Sequence, residues 1–419
     1  FYVQGNRRNT NNVSVDGATV NAIGNNFNAV VAVSMDAVAE VKVLTSNYQA
    51  EHGRMSGANV HIVTKSGSRD FHGLASYFKR NEVLNANDFF NNFNGRPRPL
   101  YRFDTWNYNI GGPVYIPGKF NRNKEKLFFF WSQEFWPLKV PNALTNRNVP
   151  TELERQGNFS QTIVRDPFNN RTPFPNNVIP ANRVDPNGRA LLNVLPLPNF
   201  LDRNISRGNY NYVFQDTQDI PKRTDTLKLD YNLSSASILS FSYSARDDIN
   251  DGTFGVPAGA GNYNVVRQRS ENNGKLFLGR WQKIFNPTLI NELNVSYSTR
   301  PLVNSIADAD LATVQRDKIG FNLGQFNSAN NPLNIMPNTV FGGVPNAAQV
   351  SFDGRTPLTT SHRIFVLSNN MTKTWSAHTV KAGFYLDRIW AHNQATAGPF
   401  NGAFNFTRNV NNPLETDYA

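Results

Sequence analysis

The chain has 419 residues, a formal net charge of +11 and 12% aromatic residues, and its mean hydropathy is −0.48. It contains no cysteine, which excludes disulfides, iron–sulfur clusters and cysteine-ligated zinc. No stretch approaches the ~20 consecutive apolar residues of a membrane helix. A membrane barrel remains compatible with this composition, because its strands need only ~10 residues of alternating polarity.

The positive charge does not by itself predict a nucleic-acid partner. Lysine and arginine are scattered over predicted loops and strands, with no basic helix or dense basic run. We therefore expect a solvated surface or anionic lipid headgroups to balance the charge.

The first part of the chain predicts a compact group of short elements. Strands are expected at 13–15, 41–45 and 58–64, and the first of them enters a turn at Asp16-Gly17. Ser34 is expected to cap a short helix over 35–39. A turn cluster at 65–68 ends this part, and a new strand is predicted at 71–80. The boundary between two domains is therefore placed so that one covers 1–67 and the other 68–419.

From residue 71 onward the sequence alternates in polarity with a period of two, which predicts half-buried strands. The pattern is clear at 105–110, 225–233, 237–246, 289–300 and 378–390. Residues 127–131 and 276–278 are instead apolar on both faces. A strand whose inner face is covered by another part of the chain would have this composition.

The connections between these strands alternate in length. Short turns are predicted near 232–236, 285–288 and 376–378, with a longer one at 117–126, and long connections near 81–100, 137–222, 247–269 and 300–361. Up-and-down membrane barrels have short turns on one side and long loops on the other, whereas compact soluble domains seldom have loops above ~15 residues. Inside the longest connection, Asp185-Pro186 predicts the start of a short helix with Leu191, Leu192 and Leu195 on one face.

Catalytic, metal and cofactor sites are not predicted. None of the six histidines has the spacing of a metal-binding motif. Residues 247–252 cluster side-chain oxygens, yet Ile249 occupies a ligand position of the regular calcium loop. A solvated outer loop is the preferred interpretation of that segment, and calcium binding is the alternative.

Five tryptophans lie near predicted strand ends, where membrane proteins build aromatic girdles. They are Trp131, Trp136, Trp281, Trp375 and Trp390. The alternative is that they belong to the inner sheet faces of a soluble sandwich.

Several motifs resemble the TonB-dependent outer-membrane receptors. The segments Val-Ala-Glu-Val-Lys-Val-Leu at 38–44, Tyr-Gln-Ala-Glu-His-Gly-Arg at 48–54 and Val-Thr-Lys-Ser-Gly at 63–67 are similar to the end of the plug in that family. Phe71-His72-Gly73 and Phe-Pro-Asn-Asn-Val-Ile-Pro at 174–180 resemble its Oar-like branch.

The resemblance implies an all-β fold: a partial transmembrane antiparallel β-barrel with the C-terminal part of a plug domain. Such a barrel has about 22 strands around a plugged lumen, and this chain would hold about ten of them. The plug would cover 1–67, and the barrel 68–419 with long extracellular loops. Glu51, Arg54 and Lys65 are expected to form plug–barrel contacts, because a polar interface can release without exposing a dry core.

The function implied is that of a transporter in the bacterial cell outer membrane. It would move an unknown bulky ligand with energy from the TonB complex of the inner membrane, which it would contact through a segment outside this chain. Outer-membrane lipid and lipopolysaccharide would be its other partners, with no nucleic acid and no cofactor. The alternative is a soluble, secreted β-rich binding or adhesion protein, and an enzyme is not expected.

Overall fold

The structure is a computed structural model that describes residues 2–3, 5–22, 29–46, 48–49, 56–160, 162–252, 267–352, 357–394 and 401–407. Within these residues the chain is built mainly of strands. They are β1 (Asn12–Val15), β2 (Ala18–Thr19), β3 (Val38–Leu44), β4 (Asn59–Thr64), β5 (His72–Asn81), β6 (Arg102–Pro113), β7 (Leu127–Pro141), β8 (Thr145–Arg147), β9 (Tyr212–Phe214), β10 (Thr217–Ser234), β11 (Ser237–Gly252), β12 (Gln268–Asn272), β13 (Gly274–Asn286), β14 (Leu289–Ile306), β15 (Asn338–Phe341), β16 (Leu358–Trp375), β17 (His378–Gln394) and β18 (Ala403–Phe406).

The helices are all short and lie outside the main strands. They are α1 (Phe89–Phe93), α2 (Glu152–Arg155), α3 (Pro186–Asn193), α4 (Arg203–Ser206), α5 (Asp308–Leu311) and α6 (Arg316–Ile319). Single 3-10 turns occur at Arg8–Thr10, Met35–Ala37, Glu82–Leu84, Pro175–Asn177, Ala181–Arg183 and Ser328–Asn330.

Strands β1 to β4 form a small sheet in the order β2-β1-β4-β3. Strands β1 and β2 are joined by the predicted turn, where Asp16 and Gly17 have φ values of 50° and 95°. Glycine adopts this left-handed region freely and aspartate tolerates it better than most residues. Ser34 caps the 3-10 turn Met35–Ala37 as expected, but the turn is shorter than the predicted helix because β3 begins at Val38.

Ten strands form one large antiparallel sheet in the order β17-β16-β14-β12-β11-β10-β7-β6-β5, with β13 also placed between β11 and β14. The edge strands β5 and β17 each pair with one neighbour, so the strands that the structure describes do not close the barrel. This architecture confirms the predicted fold class of a partial antiparallel barrel of about ten strands. The short and long connections alternate as the sequence predicts.

The two faces of the large sheet differ in chemistry. Lys228, Ser242 and Arg280 lie on one face, which we call the inner face. Leu239 and Trp281 face each other across β11 and β13 on the opposite side, the outer face, and remain 41% and 38% exposed. A barrel wall presents to lipid an apolar surface that no other part of the protein covers.

The large sheet curves around the small sheet. Asn107 on β6 donates to Asp36, and Lys381 on β17 donates to Gln49 over 2.6 Å. Since β6 and β17 lie toward opposite ends of the strand order, contacts from both require a curved wall.

Two long connections share an apolar core of their own, which we call the loop core. Leu191 of α3 and Leu195, two residues beyond the end of that helix, pack with residues from the connection between β14 and β16, such as Val314 and Ile335. Asp185 caps α3 by accepting a hydrogen bond from the amide of Gly188 (2.9 Å), which confirms the predicted helix start.

Residues 247–252 are not a loop, so that prediction was wrong. They extend β11, where Asp248 pairs in register with Lys222 and also forms an ion pair with it (3.4 Å). Arg246 donates to Asp248 as well. Cross-strand charge pairing therefore keeps this polar segment extended.

Candidate functional site: the interface between the small sheet and the inner wall

The carboxylate of Asp16 is the centre of the contact between the two sheets. It accepts hydrogen bonds from the backbone N–H of Thr64 (2.9 Å) and from the Thr64 hydroxyl (2.6 Å). Because β1 and β4 are parallel neighbours, the end of β4 lies beside the turn that follows β1. The small sheet thus fixes a buried carboxylate, 4% exposed, at its edge.

Three side chains of the large sheet converge on this residue. Lys228 Nζ lies 3.4 Å from Asp16 Oδ1 and donates to the Thr64 carbonyl over 3.2 Å. The Ser242 hydroxyl donates to Asp16 Oδ2 (3.1 Å), and Arg280 donates to the Asp16 carbonyl. We call these five residues the Asp16 cluster.

Arg280 is itself held in place by its neighbour on β14. Its Nε donates to Asn294 Oδ1 over 3.1 Å, and Asn294 in turn donates to Glu292 (2.9 Å). These hydrogen bonds orient the guanidinium toward the small sheet.

The ion pair of the Asp16 cluster, between Lys228 and Asp16, is buried. The side chains of Lys228 and Asp16 are 9% and 3% exposed. Such a pair gains little net free energy over a hydrophobic contact, because desolvation offsets the attraction, but removing one partner costs ~3–5 kcal/mol. The cluster thus specifies where the small sheet sits more than how tightly it is held.

An apolar patch lies beside the cluster. Leu276 and Leu278 on β13, 1% and 3% exposed, pack against apolar residues at 13–20 and 29–33 of the small-sheet region. This contact confirms that residues 276–278 are apolar on both faces because another part of the chain covers the inner one. Gly274 sits so close that an added Cβ would lie 1.8 Å from the Val30 carbonyl oxygen.

The plug–barrel contacts predicted from the sequence are placed as follows. Glu51 and Arg54 lie outside the described residues. Lys65 is half-buried and its backbone N–H donates to the Ala37 carbonyl over 2.8 Å, within the small-sheet region. A plug–barrel role for these three side chains stays a prediction.

Sequence reasoning missed Asp16, Lys228 and Arg280. Asp16 fits a common turn pattern, and Lys228 fits the polar side of an alternating strand, so neither stands out. The available signal was charge at inner-face positions: a lysine and an arginine on neighbouring hairpins require a buried counter-charge or acceptor.

Four of the five predicted girdle tryptophans lie on the outer face, namely Trp131, Trp281, Trp375 and Trp390. Trp136 lies on the other face of β7, the face that carries Glu134. The girdle role itself stays a prediction.

The described residues contain no group of three or more histidine, cysteine or acidic side chains that could hold a metal ion. In the same part of the chain, no helix is both long and apolar enough to cross a membrane.

The architecture is that of a membrane β-barrel wall, apolar outside and polar inside, that curves around a small separate sheet. Residues 63–418 match the family described as outer membrane beta barrel domain. The chain belongs to this family and is a protein of the bacterial outer membrane. This membership argues against the soluble secreted alternative.

Solved structures of similar architecture are outer-membrane transporters and receptors. The chain superposes on YddB from Escherichia coli with a TM-score of 0.53 and 8% identity, over 94% of this chain and 42% of that one. It is also similar to the FrpB iron transporter from Neisseria meningitidis (TM-score 0.45, 8% identity, 92% and 54% covered). The siderophore receptor PirA from Acinetobacter baumannii gives a TM-score of 0.45 and 10% identity over 91% and 41%.

At these identities the similarity to YddB shows a shared fold, and the chain spans about two fifths of the YddB chain. No curated protein sequence matches the chain.

Proposed function

We propose that the chain is part of a TonB-dependent transporter, with residues 1–67 as the C-terminal part of its plug and residues 68–419 as barrel wall with extracellular loops. The observation that carries the proposal is the Asp16 cluster, which ties a small internal sheet to the inside of the wall through hydrogen bonds and one ion pair. Apolar packing would hold a permanently docked domain without the desolvation cost of a buried ion pair.

A polar interface of this kind is suited to release. When the small sheet is pulled away from the wall, water can replace each donor and acceptor of the Asp16 cluster, so the net cost per hydrogen bond is only ~0.5–1.5 kcal/mol. The apolar patch around Leu276 and Leu278 is small and would be re-covered when the sheet returns. Pulling by the TonB complex, through a segment outside this chain, would supply the energy.

The ligand would be bulky and would bind first to the long loops. The connections between β7 and β10 and between β14 and β16 supply a folded surface around the loop core. The motifs at 71–73 and 174–180 support placement in the Oar-like branch. Outer-membrane lipid and lipopolysaccharide would surround the wall.

Accessibility of the interface in living cells tests the proposal. The 419 residues contain no cysteine, so Ser242→Cys introduces a single thiol into this part of the intact protein. Ser242 is 4% exposed beneath the small sheet. We expect a water-soluble maleimide to label it in energised cells and to lose access when an uncoupler collapses the proton gradient.

Ser235→Cys is the matched control, because Ser235 is exposed in the short turn between β10 and β11. Its labelling should be the same with and without the uncoupler. Labelling of Ser242→Cys that does not respond to the uncoupler would contradict energised movement of the small sheet.

A further inference from the structure

A groove of about 590 Å³ lies on the outer face of the large sheet. Its walls come from two neighbouring rows of apolar side chains, with Leu127, Leu239 and Trp281 in one row and Phe241 and Val295 in the other. It crosses five strands from β7 to β14, a distance of about 19 Å at ~4.8 Å per strand. Its volume falls within the ~300–1,000 Å³ typical of sites for small molecules.

Gly279 creates the depression. It lies between Phe241 and Val295 in the second row, where every strand neighbour carries a side chain. A Cβ added at Gly279 would meet no atom closer than 4.0 Å. The missing side chain therefore leaves open space and not a close backbone contact.

Phe120 closes the groove at its β7 end, and its position is fixed by a rigid turn. The residue belongs to the connection between β6 and β7, where its N–H donates to the Ile116 carbonyl (3.0 Å). The side chain of the adjacent Asn121, which is buried, bonds the Val114 and Leu127 carbonyls (2.9 and 3.0 Å) and accepts from two further amides. Phe120 is thus held beside the first residue of β7 at the rim of the wall.

The same turn is strongly basic. Lys119, Arg122 and Lys126 are exposed there, and the nearby acid Glu125 is already paired with Arg69 at 3.1 Å. Lys283 lies on the outer face one row beyond Trp281, toward the short-turn end. An apolar groove that ends at a cluster of cations complements a molecule with a hydrocarbon chain and an anionic head.

We propose that this groove is a specific site for one anionic phospholipid. One acyl chain lies in the groove over Gly279, and the phosphate contacts the cations of the turn between β6 and β7. The groove is continuous with the lipid-facing surface, so the acyl chain enters it from the surrounding bilayer. Short turns of outer-membrane barrels lie on the periplasmic side, so the occupant is a phospholipid and not lipopolysaccharide of the opposite leaflet.

Native mass spectrometry of the intact, detergent-purified protein tests the site. Phosphatidylglycerol and phosphatidylcholine with identical acyl chains are titrated separately and in competition. We expect one phosphatidylglycerol to bind before any further lipid. Gly279→Leu fills the groove and is expected to raise the dissociation constant of that first lipid at least about tenfold, which corresponds to the loss of a few buried methylene groups.

Two matched variants separate shape from charge. Ala75→Leu places the same leucine side chain on the outer face of β5, away from the groove, and is expected to leave lipid binding unchanged. The triple variant Lys119→Gln, Arg122→Gln, Lys126→Gln is expected to reduce the preference for phosphatidylglycerol by about fivefold for each charge removed. Heat-dependent gel migration confirms that each variant is folded.

Three results would overturn the proposal. The first is equal binding of the first lipid by wild type and Gly279→Leu, or equal weakening by Gly279→Leu and Ala75→Leu. The second is equal affinity of the wild type for phosphatidylglycerol and phosphatidylcholine. The third is displacement of the first phosphatidylglycerol by an equimolar amount of lipopolysaccharide.

Discussion

Replacing Lys228 by methionine should weaken the docking of the small sheet without disturbing the wall. The change keeps most of the side-chain volume but removes the ammonium that contacts Asp16 (3.4 Å) and the Thr64 carbonyl (3.2 Å). The Asp16 carboxylate then remains buried without its cation.

The expected loss follows from the surroundings of Asp16. Breaking a buried ion pair by removing one partner costs ~3–5 kcal/mol. Asp16 keeps three donors, two from Thr64 and one from Ser242, so the lower end of about 3 kcal/mol applies. Since 1.4 kcal/mol is tenfold in an equilibrium constant, local opening of the small sheet should become about 150-fold more frequent.

Hydrogen exchange of the β4 amides in the intact protein measures this opening. Lys139→Met is a matched control, because Lys139 pairs with Asp219 at 3.3 Å in an ion pair whose side chains are 44% and 47% exposed. Exposed pairs contribute ~0–1 kcal/mol, so exchange should change less than about fivefold. The double variant Asp16→Asn, Lys228→Met should recover much of the loss, because it leaves no unpaired charge.

The reasoning is refuted if β4 exchanges in Lys228→Met at the wild-type rate. It is also refuted if the amides of β10 and β11 accelerate as much as those of β4, since the wall itself would then have been destabilised.

Three further changes test other contacts. Gly274→Ala places a Cβ 1.8 Å from a backbone carbonyl of the small-sheet region, so that region should be digested by protease much faster. Leu191→Ala removes a side chain of the loop core that is 6% exposed and should cost ~2–5 kcal/mol, exposing both long connections to protease together. The hydrogen bond from Arg183 lowers the pKa of Asp166 below its ordinary 3.8. The pair therefore stabilises the β7–β10 connection at pH values above 3.8, and this stabilisation is lost as the pH falls through the lowered pKa. Arg183→Gln should return the pKa of Asp166, measured by NMR, toward 3.8.

Each of these has its own control. In Gly279→Ala the new Cβ would have no neighbouring atom closer than 4.0 Å. This variant should therefore be as resistant to protease as the wild type. Leu197 is 51% exposed, and Leu197→Ala should cost little. Arg165→Gln, in the same connection, should leave the pKa of Asp166 low. Cleavage confined to one long connection in Leu191→Ala would contradict a shared core.

The strands of the wall were predictable because each faces lipid on one side and polar groups on the other, which imposes a period of two on the sequence. Their ends were not. β11 continues to Gly252 and β14 to Ile306, beyond the alternating region. The added residues of β11 are mostly polar on both faces. There the extended form depends on cross-strand partners such as Lys222 and Asp248, which no local pattern reveals.

The interface was harder to predict than the wall. Asp16 and Lys228 are separated by 212 positions, and each has an ordinary local explanation in its own segment. The apolar residues 276–278 were informative because they depart from the alternation, and the structure shows the cover they require. A departure from a regular pattern thus located the docking surface, whereas residues that obey the pattern could not.

The loop core joins segments that lie more than a hundred positions apart in the chain. Val149 and Leu191 come from one connection and Ile335 and Phe352 from the other, and all are buried together. An amino-acid replacement at any of these positions must be accommodated by the opposite segment, so the two cannot diversify independently. Antibodies or phages that recognise this surface would meet a discontinuous epitope, which isolated peptides from either segment would fail to reproduce.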